Sequence, residues 1–151
     1  MKYMSEQSFW RSIERVLKSM RDERFSRDGC DDQVHWQRFE DKFGHGIPDL
    51  NICVDGREVW IELKQLDRLP VRDTTRVRVG LRSDQALWLR RRIKSGGRAF
   101  VVAKIGREIY IFNRYFNDLV TGIRCKDFHH YALCITDNTR AAIEEVLHET
   151  N

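Results

Sequence analysis

The sequence predicts an α/β domain with a mixed sheet flanked by helices, and three observations carry that reading. Apolar residues recur at helical spacing near both ends and again around residues 83–94, while the runs between them are β-like. The elements follow in the order α-β-β-β-α-β-β with a closing helix, which suits one sheet covered by helices. The 151 residues include only two prolines and no Gly/Ser linker, repeat or low-complexity tract, so a single domain is expected.

Each element has its own signal. Ser5 to about Arg24 reads as an amphipathic helix, with Phe9, Ile13, Val16, Leu17 and Met20 on one face and Ser5 as its N-cap. Asp28-Gly29 and Asp31-Asp32 break it. Val34–Glu40 alternates apolar with polar, as a strand does. Pro48–Val54 and Arg57–Lys64 form two more strands joined at Asp55-Gly56, a strong hairpin signal.

Residues 65–80 are polar and Arg-rich, and read as a long functional loop. Ser83 caps a helix to about Lys94, with Ala86, Leu87, Leu89 and Ile93 inward and Gly96-Gly97 as its stop. Ala99–Lys104 and Glu108–Phe112 are strands around Gly106. A short helix near Tyr115–Val120, a strand near Tyr131–Ile135 and a helix over about Thr139–Glu149 complete the chain.

Composition narrows the function classes. Hydrophobic residues make up 41% and charged residues 33%, a globular balance, and no apolar run is long enough to span a bilayer. The opening MKYMSEQSFW has no apolar signal core, and the four cysteines form no CxxC pair, so a reducing cytoplasm is expected. The net charge of +4 hides an asymmetry: residues 68–98 carry ten bases against two acids, whereas residues 113–151 carry four against six. Arginine at such density suits phosphate, because the guanidinium fork pairs with its oxygens bidentately. Nucleic acid is the expected partner, with Arg76, Arg78, Arg82, Arg90, Arg91, Arg92 and Lys94 as contacts.

The most informative residues are Asp49, within Gly46-Ile-Pro-Asp-Leu50, and Glu62 and Lys64, within Glu62-Leu-Lys64. Side chains alternate along a strand, so Glu62 and Lys64 share a face. If Asp55-Gly56 is a two-residue turn, Val54 faces Arg57, and stepping down the hairpin brings Asp49 opposite Glu62. Directly opposed Cβ atoms lie about 4.5–5.5 Å apart. Two carboxylates so close repel and call for a cation. Oxygen donors alone select a hard ion such as Mg²⁺ rather than zinc. Val59, Trp60, Ile61 and Leu63 mark this as a central buried strand, where Glu and Lys seldom sit without purpose.

GIPDL followed by IELK resembles the Pro-Asp…(Asp/Glu)-x-Lys nuclease motif. The wider pattern is similar to its VRR-NUC branch of small, often phage-borne nucleases: Arg38-Phe-Glu40 before the motif, Trp60-Ile-Glu62-Leu-Lys64 within it, and Leu81-Arg82-Ser-Asp-Gln85 opening the next helix. The resemblance spans about residues 34–112, leaving 113–151 as a C-terminal extension. It implies a restriction-endonuclease-like fold and metal-dependent phosphodiester cleavage. Asp49 and Glu62 would hold Mg²⁺, with Mn²⁺ as a substitute and the Leu63 carbonyl as a further ligand. Lys64 would orient or deprotonate the attacking water, or steady charge on the phosphate. A third acid would come from Glu40 or Glu14, with Glu6 a more remote choice, while Arg82 and Gln85 would touch the scissile strand or position their helix. The branch further implies branched DNA such as Holliday junctions as substrate, a homodimer, and a host-cell cytoplasm for a phage-borne enzyme. Alternatives are a nicking or restriction-like nuclease without junction preference and a DNA-binding protein that keeps the fold alone.

Other constellations are weaker. Cys125-x3-His129-His130-x3-Cys134 fits no standard zinc spacing, so no zinc is expected. The glycines form neither a P-loop nor a dinucleotide fingerprint, so no nucleotide cofactor is expected. The four tryptophans read as core or interface anchors, Trp88 least clearly. Phe9, Trp10, Ile13 and Val16, together with the segment from Tyr115-Phe116 to Tyr131, are the expected dimer interface.

Overall fold

A six-stranded mixed sheet forms the centre of the computed structural model, which describes residues 6–30 and 33–149, apart from the side chain of Glu6. Ser5, expected as an N-cap, and Asp31-Asp32, expected as a breaker, lie outside the described residues. The strands are β1 (Val34–Arg38), β2 (Leu50–Val54), β3 (Arg57–Leu66), β5 (Ala99–Ile105), β6 (Glu108–Phe112) and β8 (Cys134–Thr136), in the spatial order β1-β2-β3-β5-β6-β8. Two-residue strands β4 (Arg76–Val77) and β7 (Ile123–Arg124) pair separately. Among the described residues only β3 and β5 run parallel, joined through helix α2 (Ser83–Lys94), because parallel neighbours need a long crossover.

The helices cover both faces. Helices α1 (Glu6–Asp28) and α5 (Thr139–His148) pack Phe9, Ile13, Leu17, Ile143 and Val146 on Leu50, Ile52, Ile61, Leu63, Phe100 and Val102. On the other face, α2, α3 (Phe116–Thr121) and α4 (Cys125–Tyr131) pack against Val101, Ala103, Tyr110 and Phe112. Adjacent β5 residues thus belong to different layers, and a strand buried on both sides reads as a continuous apolar run.

Several expectations need correction. α1 continues four residues beyond Arg24, because Arg24 bridges Asp55 at 2.6 Å and the helix ends only where Gly29, at φ 69°, donates to the Phe25 carbonyl. The expected loop 65–80 is pinned: Val77, Val79 and Leu81 are buried on alternate positions, and Cys125 and Lys126 donate backbone N–H groups to Thr75 and Asp73. Ser83 is the first residue of α2 rather than its cap, a position held by Arg82. Tyr131 ends α4 rather than starting a strand, since residues 125–131 present Phe128 to the core at helical pitch.

The expected dimer surface on α1 is occupied within the chain itself. Phe9, Trp10 and Ile13 are buried, Val16 packs against the same core, and Phe116 is buried in the second layer.

Candidate active site

The turn between β2 and β3 places the two carboxylates. Asp55 and Gly56 both take positive φ, 51° and 81°, as in the mirror-image turns whose twist matches that of paired strands. The ladder runs from Val54 opposite Arg57 to Leu50 opposite Ile61, so the next residue, Asp49, faces Glu62. Hydrogen-bonded and non-hydrogen-bonded pairs alternate along such a ladder, and side chains lie closer in the second kind. Counting from the turn, Asp49–Glu62 is a pair of that closer kind. Trp60, of the same parity as Glu62, accordingly turns its N–H away from β2 to the Arg98 carbonyl.

Asp49 also closes the end of the hairpin. Its Oδ2 accepts the Leu63 N–H at 2.8 Å, and its carbonyl accepts the Phe39 N–H at 2.8 Å. A residue in an antiparallel ladder directs its N–H and C=O to the same neighbour, so the Leu63 carbonyl points to the Asp49 side as well. Pro48, next in register, has no N–H to offer that carbonyl. This gives the Pro-Asp dipeptide a physical role.

Glu62 is 1% exposed. Its Oε1 receives Gln85 Nε2 at 2.6 Å and lies 2.9 Å from Lys64 Nζ. A carboxylate is costly to bury without such partners. Gln85 occupies the first turn of α2, and its Oε1 accepts the Arg82 N–H at 3.0 Å. Those two partners orient the amide, because a backbone N–H requires oxygen and a carboxylate requires the NH₂ group. The first turn of α2 thus reaches the Glu62 carboxylate through the Gln85 amide.

Asp41, which sequence reasoning passed over, shapes the approach to Asp49. Its carboxylate accepts N–H groups from His45 at 3.0 Å and Gly46 at 2.6 Å, and Arg82 Nη2 lies 3.8 Å away. Desolvation opposes its ionisation, but the N–H groups of His45, Gly46 and Ile47 outweigh that and hold its pKa below the ordinary value. Gly46 has φ 75°, and a Cβ there would collide with the Asp84 carbonyl oxygen. Only glycine lets the Asp41–Pro48 loop lie this close to the start of α2. The available signal was an aspartate shortly before glycines in a loop.

The proposed third acids sit elsewhere. Phe39 faces Asp49 across the strands, so Glu40 falls on the next position, with its side chain 76% exposed and 3.8 Å from Lys42. Glu14 lies on α1, in the layer across the sheet from the Glu62 side chain, 3.7 Å from Lys18.

The arginines divide into two groups. Arg82 is paired with Asp84 at 3.1 Å, and Arg92 is held by Glu58 at 3.2 Å and by the rings of Trp60 and Trp88. Arg98 caps the last carbonyls of α5 at Val146 and Glu149. Arg76 donates to the Gly122 carbonyl, with Arg78 exposed beside it, and Arg90 donates to Asn117. Arg91 and Lys94 project into solvent. Trp60 and Trp88 pack at 5.2 Å beneath Arg92, so Trp88 is an anchor rather than an open platform.

Among the described residues no cluster of three or more His, Cys, Asp or Glu forms a metal cage. The Asp49–Glu62 pair still suits Mg²⁺, which keeps most of its water and typically takes one or two carboxylates together with substrate phosphate oxygens. Cys125 opens α4 with its thiol 3.4 Å from the Pro70 carbonyl, and Cys134 lies in β8, where burial, then Glu145 and Glu149, push its thiol pKa up.

Among solved structures the chain resembles a Holliday junction resolvase. This is Hjc of the archaeal hyperthermophile Archaeoglobus fulgidus, 19% identical over 65% of this chain and 72% of that one, with a TM-score of 0.37. Neither a family model nor a curated protein matches the chain. Among the described residues no helix is long and apolar enough to cross a membrane.

Proposed function

We propose that this protein is a metal-dependent DNA endonuclease, with Mg²⁺ as its ion and Mn²⁺ able to replace it. One observation carries the reading: Asp49, the residue just before β2, accepts the Leu63 N–H at 2.8 Å where the register continued from the ladder meets Glu62, and Lys64 lies 2.9 Å from Glu62. A module that only bound DNA would have no need of this costly arrangement. The order GIPDL, WIELK and LRSDQ, similar to the VRR-NUC branch, supports it further.

In this reading Asp49, Glu62 and the Leu63 carbonyl hold the ion. When bound, it lowers the pKa of the attacking water and offsets charge on the phosphate. Gln85 and Lys64 hold the buried Glu62 side chain in place. Lys64, with a side chain 14% exposed, orients or deprotonates the water or steadies phosphate charge. Exposed arginines bind the DNA backbone.

The preferred substrate in this reading is branched DNA, cut by a homodimer. Paired cuts in a four-way junction need two sites, and a two-fold axis matches the junction's symmetry. The burial of Phe9, Trp10 and Ile13 in the chain's own core favours a second reading, a nicking enzyme without junction preference. Labelled junction, linear duplex and single strand, each incubated with Mg²⁺ or EDTA, separate these readings. Paired Mg²⁺-dependent cuts in the junction are expected, and no cleavage of any substrate would remove the nuclease reading. Light scattering with and without junction reports the dimer.

A further inference from the structure

Between α2 and α3 lies a groove of about 610 Å³, away from the carboxylates and lined by Arg90, Arg91, Lys94, Arg114 and Tyr115, among others. Its lining is strongly basic. Arg24, Arg82, Arg92 and Arg140 all pair with carboxylates. Among the described residues, none of the four bases in the groove has an acid within ion-pair distance, and Asp118 is the sole acidic residue of its lining.

Tyr115 is the second observation. It is 43% exposed, stands edge-on to Tyr131 at 4.9 Å, and has Arg114 over its ring at 5.3 Å. Its φ is 62°, a left-handed conformation that is rare and costly for a bulky side chain. A partly exposed aromatic ring in a basic cleft can stack with a planar partner that displaces Arg114 from it. Unpaired bases present such faces, whereas those of a duplex are stacked on one another. A positive groove with an aromatic platform is how proteins take hold of single strands.

We propose that the α2–α3 groove binds an unpaired DNA strand, with one base stacked on Tyr115 and the phosphates on Arg90, Arg91, Lys94 and Arg114. Helix α2 links this groove to the carboxylates: Arg91 and Lys94 lie six and nine residues past Gln85, or about 9 and 14 Å along the axis. A strand leaving the region of Glu62 would therefore reach the groove within a few nucleotides. The binding does not depend on hydrolysis at Asp49 and Glu62, so it is measured in EDTA, where cleavage and its failure play no part.

The test is fluorescence anisotropy of a labelled 12-nucleotide oligo(dT) and of a 12-base-pair duplex with the full chain. Tyr115→Ala should weaken oligo(dT) binding about tenfold and duplex binding less than twofold, since stacking on one aromatic residue contributes on this order. Tyr115→Phe should retain wild-type affinity. Arg91→Ala with Lys94→Ala should lower the salt slope for oligo(dT) by about 1.4, as two phosphate contacts are lost. Arg11→Ala with Arg15→Ala, across the sheet on α1, should leave that slope unchanged. Equal loss of both DNAs in Tyr115→Ala, no loss of oligo(dT) binding, or an equal fall in slope for the α1 pair would each overturn the proposal.

Discussion

Gln85 Nε2 donates to Glu62 Oε1 across 2.6 Å, joining the first turn of α2 to a buried carboxylate 23 positions earlier in the chain. The bond makes Glu62 tolerable where it is and ties the position of α2 to the site. Removing the donor leaves a buried charged acceptor short of a partner. Gln85→Ala should lower stability by about 1–3 kcal/mol, measured by urea denaturation. Gln85→Glu should cost more, because it sets a second carboxylate against Glu62. A Gln85→Glu variant as stable as wild type would show that the contact contributes nothing.

Asp49→Asn is the cleanest test of the proposed chemistry. The amide oxygen can still accept the Leu63 N–H, so the end of the hairpin should survive while a metal-binding charge is lost. Cleavage should fall by at least about a hundredfold, as expected when a transition-state electrostatic partner is removed, with the circular dichroism spectrum unchanged. Lys64→Ala should lower the chemical rate with little change in DNA affinity. Wild-type turnover in Asp49→Asn at millimolar Mg²⁺ would remove Asp49 from the site.

Neighbouring arginines on α2 should behave differently. Arg92 rests on Trp60 and Trp88 and pairs with Glu58, so Arg92→Ala should destabilise the fold by about 1 kcal/mol, as lost cation–π contacts do. Arg91 is exposed, and Arg91→Ala should leave stability unchanged while flattening the salt dependence of DNA binding. Thermal melts together with binding titrations at several salt concentrations check both.

Asp41 should make the loop before Asp49 sensitive to acid. Its folded pKa lies below the ordinary 3.8, because N–H donors from His45, Gly46 and Ile47 outweigh desolvation. A group depressed in the folded state stabilises fully above its unfolded pKa, and that contribution is lost as pH falls through the folded value. Asp41→Asn should therefore be less stable than wild type at neutral pH, and the gap should close as pH drops below about 3.8. Denaturation of both proteins across this range checks it, and a gap independent of pH would contradict it.

The hairpin and its carboxylates were legible because they depend on neighbours in the chain. Asp55-Gly56 dictates the turn, the turn dictates the register, and period-two alternation then places Asp49, Glu62 and Lys64 on one face. Helix α2 and the buried runs of β3 and β5 were legible for the same reason, since apolar periodicity is a local signal, although Leu87, expected inward, is exposed. Tertiary contacts decided the rest. Val77, Val79 and Leu81 form no long ladder, and they are ordered because the α2 layer buries them and residues 125 and 126 hold the segment through the backbone. The fates of Arg82, Arg91, Arg92 and Arg98 depend on which acid, ring or carbonyl the fold brings near, although all four look alike in one basic stretch. Asp41 and Tyr115 gain their roles from the loop against α2 and from the groove beside α3, which arise only once distant segments pack together. Turn and strand geometry is written in adjacent residues, whereas burial, pairing and cavities belong to segments that meet only in the folded chain.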